Sequence, residues 1–173
     1  MRLRFSPSQI EPWAAAYPVG KLEPELLSLR ATVQQAGFLT KNQLHLLSQW
    51  KSARSAPRVL RNSEAFVQEV TGFALSTTDE RARIETLTVL DGVLWPTASV
   101  VLHVFHAEQY PILDFRALWS VAEKVPVQYT FSFWLRYVEF CRKLAGSQRL
   151  SMRTIDRALW QYSNAKQSSR VAE

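Results

Sequence analysis

The chain has 173 residues, of which 47% are hydrophobic and 21% are charged, with a net charge of +6 and a single cysteine, Cys141. The apolar fraction predicts a folded domain rather than a disordered chain. The single cysteine excludes a disulfide framework, a cysteine-ligated iron–sulfur cluster and a zinc ribbon. A membrane span, which needs about 18 consecutive apolar residues, is also excluded. The basic start is not followed by the apolar region of a secretory signal, so we expect an intracellular protein, cytoplasmic or nucleoid-associated, without a metal, a cofactor or a membrane contact.

Helical signals follow one another along almost the whole chain, which has only five glycines. Thr40 and Gln43 form a capping box, and Asn62 or Ser63 can cap the next helix. These signals predict a single all-α domain over residues 1–173, a compact bundle of about eight short helices. The predicted helices cover, in chain order, about residues 22–36, 40–52, 64–74, 77–90, 97–106, 114–122, 130–145 and 151–163, followed by a flexible tail at 164–173.

The positive charge is concentrated in two parts of the sequence. Residues 26–63 hold six basic residues and no acidic one, and residues 136–170 hold eight basic residues against two acidic ones. Such blocks favour a polyanionic partner, of which a nucleic acid is the commonest, because Lys and Arg bind phosphates. The alternative is a solvated surface that keeps the protein in solution. The predicted DNA contacts are Lys51, Arg54, Arg58 and Arg61.

One tight turn between two predicted helices has the most specific pattern in the chain. Within this turn, residues 90–95, Gly92 can take a positive φ. Pro96 then occupies the first turn of the second helix, so the backbone N–H groups of Thr97 and Ala98 are expected to point out of the helix end, where a phosphate can bind. The predicted phosphate-binding residues are Gly92, Val93, Leu94, Trp95, Thr97 and Ala98.

This turn resembles the hairpin of the helix-hairpin-helix DNA glycosylase superfamily, whose pattern is Leu-Pro-Gly-Val-Gly-x-Lys-Thr-Ala. In that superfamily a loop after the second helix ends in an apolar residue and an aspartate that opens the next helix. Residues 112–116 match this arrangement, with 18 positions between Pro96 and Asp114. The resemblance implies a helix-hairpin-helix over residues 79–107 and a protein of base-excision repair that binds duplex DNA.

Several positions depart from the family's pattern. Asp91 replaces the first-turn proline, Leu94 replaces the second glycine, and Pro96 stands where bifunctional members carry a Schiff-base lysine. Because proline offers no amine, the resemblance implies a monofunctional glycosylase, a hydrolase that breaks the N-glycosidic bond of a damaged or modified base without lyase chemistry at that residue.

The resemblance assigns the catalytic role to Asp114. An ionised carboxylate beside the anomeric carbon would stabilise the oxocarbenium-like sugar as the base leaves, or would activate the attacking water. The alternative role is structural, because aspartate is a favoured N-cap and residue 114 begins a predicted helix. One side chain can serve both purposes.

Aromatic residues are abundant, with six tryptophans, nine phenylalanines and five tyrosines. Glycosylases flip a base into a pocket and stack it against rings, so Trp50, Trp95 and Tyr110 are candidate base-pocket or wedge residues. The alternative for each is packing between helices. His103 and His106 lie three residues apart without further ligands nearby in the sequence, and we expect a structural role for them.

These patterns leave three functions open. The first is a monofunctional DNA N-glycosylase, the second is a non-catalytic DNA-binding module that keeps the glycosylase fold, and the third is a helical protein-interaction domain with an acidic partner. The enzyme differs from the binding module in whether Asp114 faces an open pocket. A DNA-binding protein differs from a protein-interaction domain in whether basic residues surround an exposed hairpin end.

Overall fold

A computed structural model describes residues 1–167, and 66% of these residues are helical. None of these residues forms a β-strand, so the prediction of an all-α protein is confirmed. Within this part of the chain, every helix is too short or too polar to cross a membrane.

Eleven α-helices are found in residues 1–167, where the sequence predicts about eight. The two short helices at Ile10–Ala15 and Ala56–Val59 were not expected, and the predicted helix at 22–36 is divided at Leu29, whose N–H bonds the Leu26 carbonyl in a tighter turn (3.3 Å). The helices are α1 (Ile10–Ala15), α2 (Leu22–Ser28), α3 (Arg30–Ala36), α4 (Lys41–Ser52), α5 (Ala56–Val59), α6 (Glu64–Ser76), α7 (Glu80–Leu87), α8 (Trp95–Phe105), α9 (Phe115–Ser120), α10 (Phe131–Gln148) and α11 (Met152–Lys166), preceded by a 3-10 turn at Pro7–Gln9.

Local capping explains where several helices begin and end. The predicted capping box of Thr40 and Gln43 starts α4, and the Ser63 hydroxyl, rather than Asn62, caps α6 by accepting from the Phe66 N–H (3.2 Å). At the other end of the chain, α11 continues to Lys166. Residues 164–166 of the predicted tail are therefore helical, and the prediction for 168–173 lies outside the described residues.

The chain divides into two compact units, which we call the continuous unit and the split unit. The continuous unit spans 19–110 and contains α2–α8, and the split unit joins residues 1–18 to the chain from Pro111 onward. The sequence did not indicate this division, and the single domain over 1–173 stays a prediction.

Each unit has its own buried apolar residues. In the continuous unit they come from α4, α6, α7 and α8, where Leu44, Val67, Ile84 and Val100 are completely buried. In the split unit α11 packs against α1 and α9. The core of the split unit includes the buried α10 side chains Trp134, Tyr137 and Val138.

Candidate nucleic-acid interface

The predicted turn between two helices is found at residues 88–94, between α7 and α8. Gly92 takes φ +81°, a conformation that favours glycine, as the sequence predicts. Val93 is buried, and its N–H bonds the Leu90 carbonyl (3.0 Å). Two helices and a glycine turn therefore occupy the segment 79–107, and the assignment of this hairpin to the glycosylase superfamily stays a prediction.

The hairpin turn is fixed to the end of α5 by close packing at Gly92. A Cβ atom on this glycine would lie 2.9 Å from the Val59 nitrogen and 3.0 Å from the Arg58 Cβ, closer than real side chains approach. Any side chain at position 92 would therefore push the turn away from the basic segment. Glycine is required here by two independent constraints, its positive φ and the absence of space.

The buried Asn62 side chain joins the same two elements by hydrogen bonds. Its Nδ2 donates to the Val59 carbonyl (2.8 Å) and the Asp91 carbonyl (3.1 Å), and its Oδ1 accepts from the Asp91 N–H (3.0 Å). Sequence reasoning considered Asn62 only as a helix cap, because its partner in the turn is 29 positions away. Its adjacency to Ser63, an equally good cap, was the available signal that one of the two side chains has another role.

A pocket of about 290 Å³ lies between the basic segment 51–58 and the hairpin. It is lined by Lys51, Ser52, Arg54, Ser55, Arg58, Gly92, Leu94, Pro96 and Thr97. Three cationic side chains belong to this set and no acidic one does. Arg54 and Arg58 are exposed, and Leu94 of the hairpin is 69% exposed. Basic residues of the segment 51–58 therefore lie beside an exposed hairpin end.

Three of the four predicted DNA contacts and three of the six predicted hairpin residues meet at this pocket. Arg61 is exposed but does not line it, and Val93 lies in the core beneath the turn. The prediction that the Ala98 N–H is available to a phosphate is wrong. It donates to the Leu94 carbonyl (2.8 Å), because Leu94 rather than Pro96 is the N-cap of α8 and Ala98 already belongs to the regular ladder.

No protein-family model matches this chain, and no curated protein or solved structure shows significant similarity to it. The chemistry of the pocket is therefore inferred from its own residues. Three basic groups and the first turn of an 11-residue helix that contains Thr97 form a positive environment, which is suited to an anion.

Tyr110 is not a base-pocket residue, and that prediction is wrong. Its ring is completely buried, and its hydroxyl donates to the Glu80 carboxylate (2.8 Å) and accepts from the Arg83 guanidinium. The ring therefore belongs to the interior of the continuous unit, where its hydroxyl bonds the buried Arg83 and the half-buried Glu80. Trp50 on α4 and Trp95 at the start of α8 are half-buried and do not line the pocket, and their base-pocket role stays a prediction.

His103, in α8, and His106, at the end of α8, contact the loop that follows the helix. The His103 Nδ1 lies 2.6 Å from the Tyr110 carbonyl, and the buried His106 accepts from the Glu108 N–H (3.0 Å). These contacts confirm the structural role expected for them. No group of three His, Cys, Asp or Glu side chains within residues 1–167 is placed to hold a metal ion.

Asp114 lies in the split unit, where it caps α9. Its Oδ1 accepts from the Arg116 N–H (2.9 Å), and its side chain is half-buried. Burial and, to a lesser extent, the negative charge of this carboxylate raise the pKa of Tyr129. The structural role of Asp114 is thus confirmed, and its catalytic role stays a prediction.

Proposed function

We propose that this chain is a DNA-binding protein that holds phosphate groups in the pocket between the basic segment 51–58 and the hairpin turn. The observation that supports this proposal is the convergence of Lys51, Arg54 and Arg58 on one concavity without an acidic residue in its lining. Ammonium and guanidinium groups form charge-assisted hydrogen bonds to phosphate oxygens, and the beginning of α8 adds its positive end.

The close packing of the turn against α5 supports the same proposal. Because Gly92 and Asn62 fix the hairpin to the basic segment, the two walls of the pocket are held at a set separation before any ligand binds. A preorganised site loses less conformational entropy on binding than a flexible one. This arrangement suits a function in which the pocket itself is the binding element.

The salt dependence of DNA binding tests this proposal. Binding of a fluorescently labelled duplex should weaken steeply with salt, because each neutralised phosphate releases condensed counterions. For roughly five phosphate contacts, log affinity should fall with log salt concentration at a slope of about −4 to −5. A slope near zero, or the absence of binding at low salt, would contradict DNA binding and favour a protein-interaction domain.

Hydrolysis of an N-glycosidic bond is the second candidate function. It rests on the resemblance of the hairpin and on the position of Asp114, which opens a helix as the family's catalytic aspartate does. The aspartate is half-buried, so its carboxylate combines a capping contact with partial access to solvent. A carboxylate placed this way has the charge needed to stabilise a cationic sugar.

The variant Asp114→Asn tests this second candidate, because asparagine keeps the size and the capping ability but removes the charge. On a panel of lesion-bearing duplexes, we expect the wild-type protein to produce strand breaks only after alkali, and borohydride to trap no covalent complex at residue 96. The variant should lose at least about 100-fold in single-turnover excision rate, roughly 2.7 kcal/mol, with DNA affinity retained. Full activity of the variant would show that Asp114 is misassigned, and wild-type DNA binding without excision would identify a non-catalytic binder.

A further inference from the structure

The pocket at the hairpin is small. Its volume of about 290 Å³ lies at the lower end of the range of roughly 300–1,000 Å³ found for ligand sites. A pocket of this size accommodates a phosphate group with part of its sugar, but not a length of duplex.

The charge of the pocket exceeds that of an internal phosphodiester. Three cationic side chains line it, all from the segment 51–58, and no acidic side chain does. An internal phosphodiester carries one negative charge, whereas a terminal phosphomonoester carries between one and two near neutral pH, because its second pKa is about 6, and it presents three terminal oxygens. The excess of positive charge therefore favours the monoester.

Thr97 adds a neutral donor to the wall of the pocket. Its side chain is 4% exposed and lines the pocket, and its hydroxyl makes no hydrogen bond with another group in residues 1–167. Its backbone N–H lies in the first turn of α8, where no carbonyl of the helix itself can accept it. An oxygen of a ligand in the pocket can accept hydrogen bonds from both donors.

An apolar side chain stands beside these charged and polar groups. Leu94 lines the pocket and is 69% exposed, so its side chain is accessible to a ligand in the pocket. Within a strand each base is stacked on both faces, but the last base has one face uncovered. A leucine next to an anion pocket can cover this face when the pocket holds the phosphate of the same nucleotide.

We infer that this pocket binds the terminal phosphate of a nucleic-acid strand, with Lys51, Arg54, Arg58 and Thr97 around the phosphate and Leu94 against the terminal nucleoside. This inference rests on the proposed DNA binding and narrows it to strand ends. The protein then binds strand ends that carry a phosphate more tightly than strand ends that carry a hydroxyl.

Internally labelled oligonucleotides of one sequence test the inference. They carry a 5′-phosphate, a 3′-phosphate or hydroxyl groups at both ends, and their affinities are compared by fluorescence anisotropy. We expect at least one phosphorylated form to bind about tenfold more tightly than the hydroxyl form, and inorganic phosphate to reduce this preference. Equal affinity for all three forms would overturn the inference while leaving DNA binding intact. Absence of binding to every form would overturn the proposed function itself.

Matched variants locate the preference at the pocket. Arg54→Gln and Thr97→Val should each abolish most of the preference for the phosphorylated end, whereas Arg61→Gln removes the same charge outside the pocket and should retain it. Circular dichroism verifies that each variant is folded. A preference that survives both pocket variants would place end recognition elsewhere and overturn the inference.

Discussion

The arginines of residues 54–61, in the continuous unit, and the arginines of the split unit differ in what surrounds them. In the continuous unit, Arg54, Arg58 and Arg61 are exposed, and none of them forms an ion pair with another described residue. In the split unit, arginines lie over aromatic rings, and Arg153 also forms an ion pair with Asp156. The ring contacts, measured from the guanidinium carbon to the ring centroid, are Arg4 with Trp119 (4.6 Å), Arg116 with Trp160 (5.2 Å), Arg153 with Tyr17 (5.2 Å) and Arg157 with Tyr17 (5.5 Å).

This difference decides which positive charges can meet a phosphate at low cost. A cation–π contact stabilises the folded protein by about 0.5–1 kcal/mol at exposed sites, and an arginine that turns towards a ligand loses it. Arg54, Arg58 and Arg61 have no such contact with another described residue to lose. The two basic blocks of the sequence look alike in charge count, and residues of the first block form one wall of the pocket at the hairpin.

The largest effect is expected from Gly92→Val, which breaks the arrangement of the continuous unit. Valine at φ +81° is strained, and its Cβ would overlap the Val59 nitrogen at 2.9 Å. We expect a loss of roughly 3 kcal/mol in stability, or roughly 6–12 °C in Tm, together with weaker DNA binding. Thermal unfolding and fluorescence anisotropy measure the two effects.

The matched control for this variant is Gly37→Val. Gly37 also has a positive φ, +78°, but a Cβ there meets no described atom within 4 Å. Gly37→Val should therefore lower the stability only by the backbone strain, about 1–2 kcal/mol, and leave DNA affinity unchanged. If both variants lose the same stability and the same affinity, the close approach of the turn to α5 has no functional role.

A smaller effect is expected from Asn62→Ala, which removes the hydrogen bonds between the turn and α5. The variant leaves the Asp91 N–H and the carbonyls of Val59 and Asp91 without this partner. The free energy of unfolding, measured in urea, should fall by about 2 kcal/mol, and DNA affinity should fall as well. The neighbouring Ser63→Ala removes a helix cap at a cost of about 1 kcal/mol and should not change DNA affinity. Equal affinity losses in the two variants would contradict a specific role of Asn62 in the pocket.

Two double substitutions, one in each unit, test the comparison directly. Arg54→Gln with Arg58→Gln should lower DNA affinity at least about tenfold and make the salt slope less negative by about 2, with Tm unchanged. Arg116→Gln with Arg157→Gln removes the same charge but breaks contacts to Trp160 and Tyr17, so it should lower stability by about 1–2 kcal/mol with affinity nearly unchanged. Similar losses of affinity in both pairs would show that net charge alone controls binding.

The smallest effect concerns the alkaline stability of the split unit. Burial raises the pKa of the Cys141 thiol above its ordinary value of 9.0. The unfolded chain therefore loses this proton at a pH where the folded chain keeps it, and stability should fall as pH rises above about 9, by at most about 1.4 kcal/mol per pH unit for this group. Urea unfolding at pH 8, 9 and 10 should show a shallower decline for Cys141→Ala. An identical decline would mean that the thiol ionises equally in both states.

Local signals in the sequence predicted much of the helical structure and six of the nine residues that line the pocket. The capping residues Thr40 and Ser63 each start a helix as expected, and Gly92 has the positive φ that its turn requires. These features depend on interactions within a few residues, which a sequence displays directly.

The features that the sequence did not predict depend on distant partners. The contact of Gly92 with Val59, the bonds of Asn62 to Asp91 and the burial of Tyr110 against Arg83 join residues that are far apart in the chain. The same is true of the arginines that lie on rings in the split unit. Their charge is visible in the sequence, but their neighbours are set by tertiary packing.

The discontinuity of the split unit has a consequence for synthesis of the protein. The Tyr162 hydroxyl donates to the Arg4 carbonyl, 158 positions earlier, and the Arg2 N–H donates to the Val121 carbonyl. At about 5–20 residues per second, translation from residue 110 to residue 162 lasts roughly 3–10 s. During that interval all residues of the continuous unit exist while the N-terminal segment still lacks its partners. The nascent chain can therefore form the pocket at the hairpin before its N-terminal residues pack into the split unit.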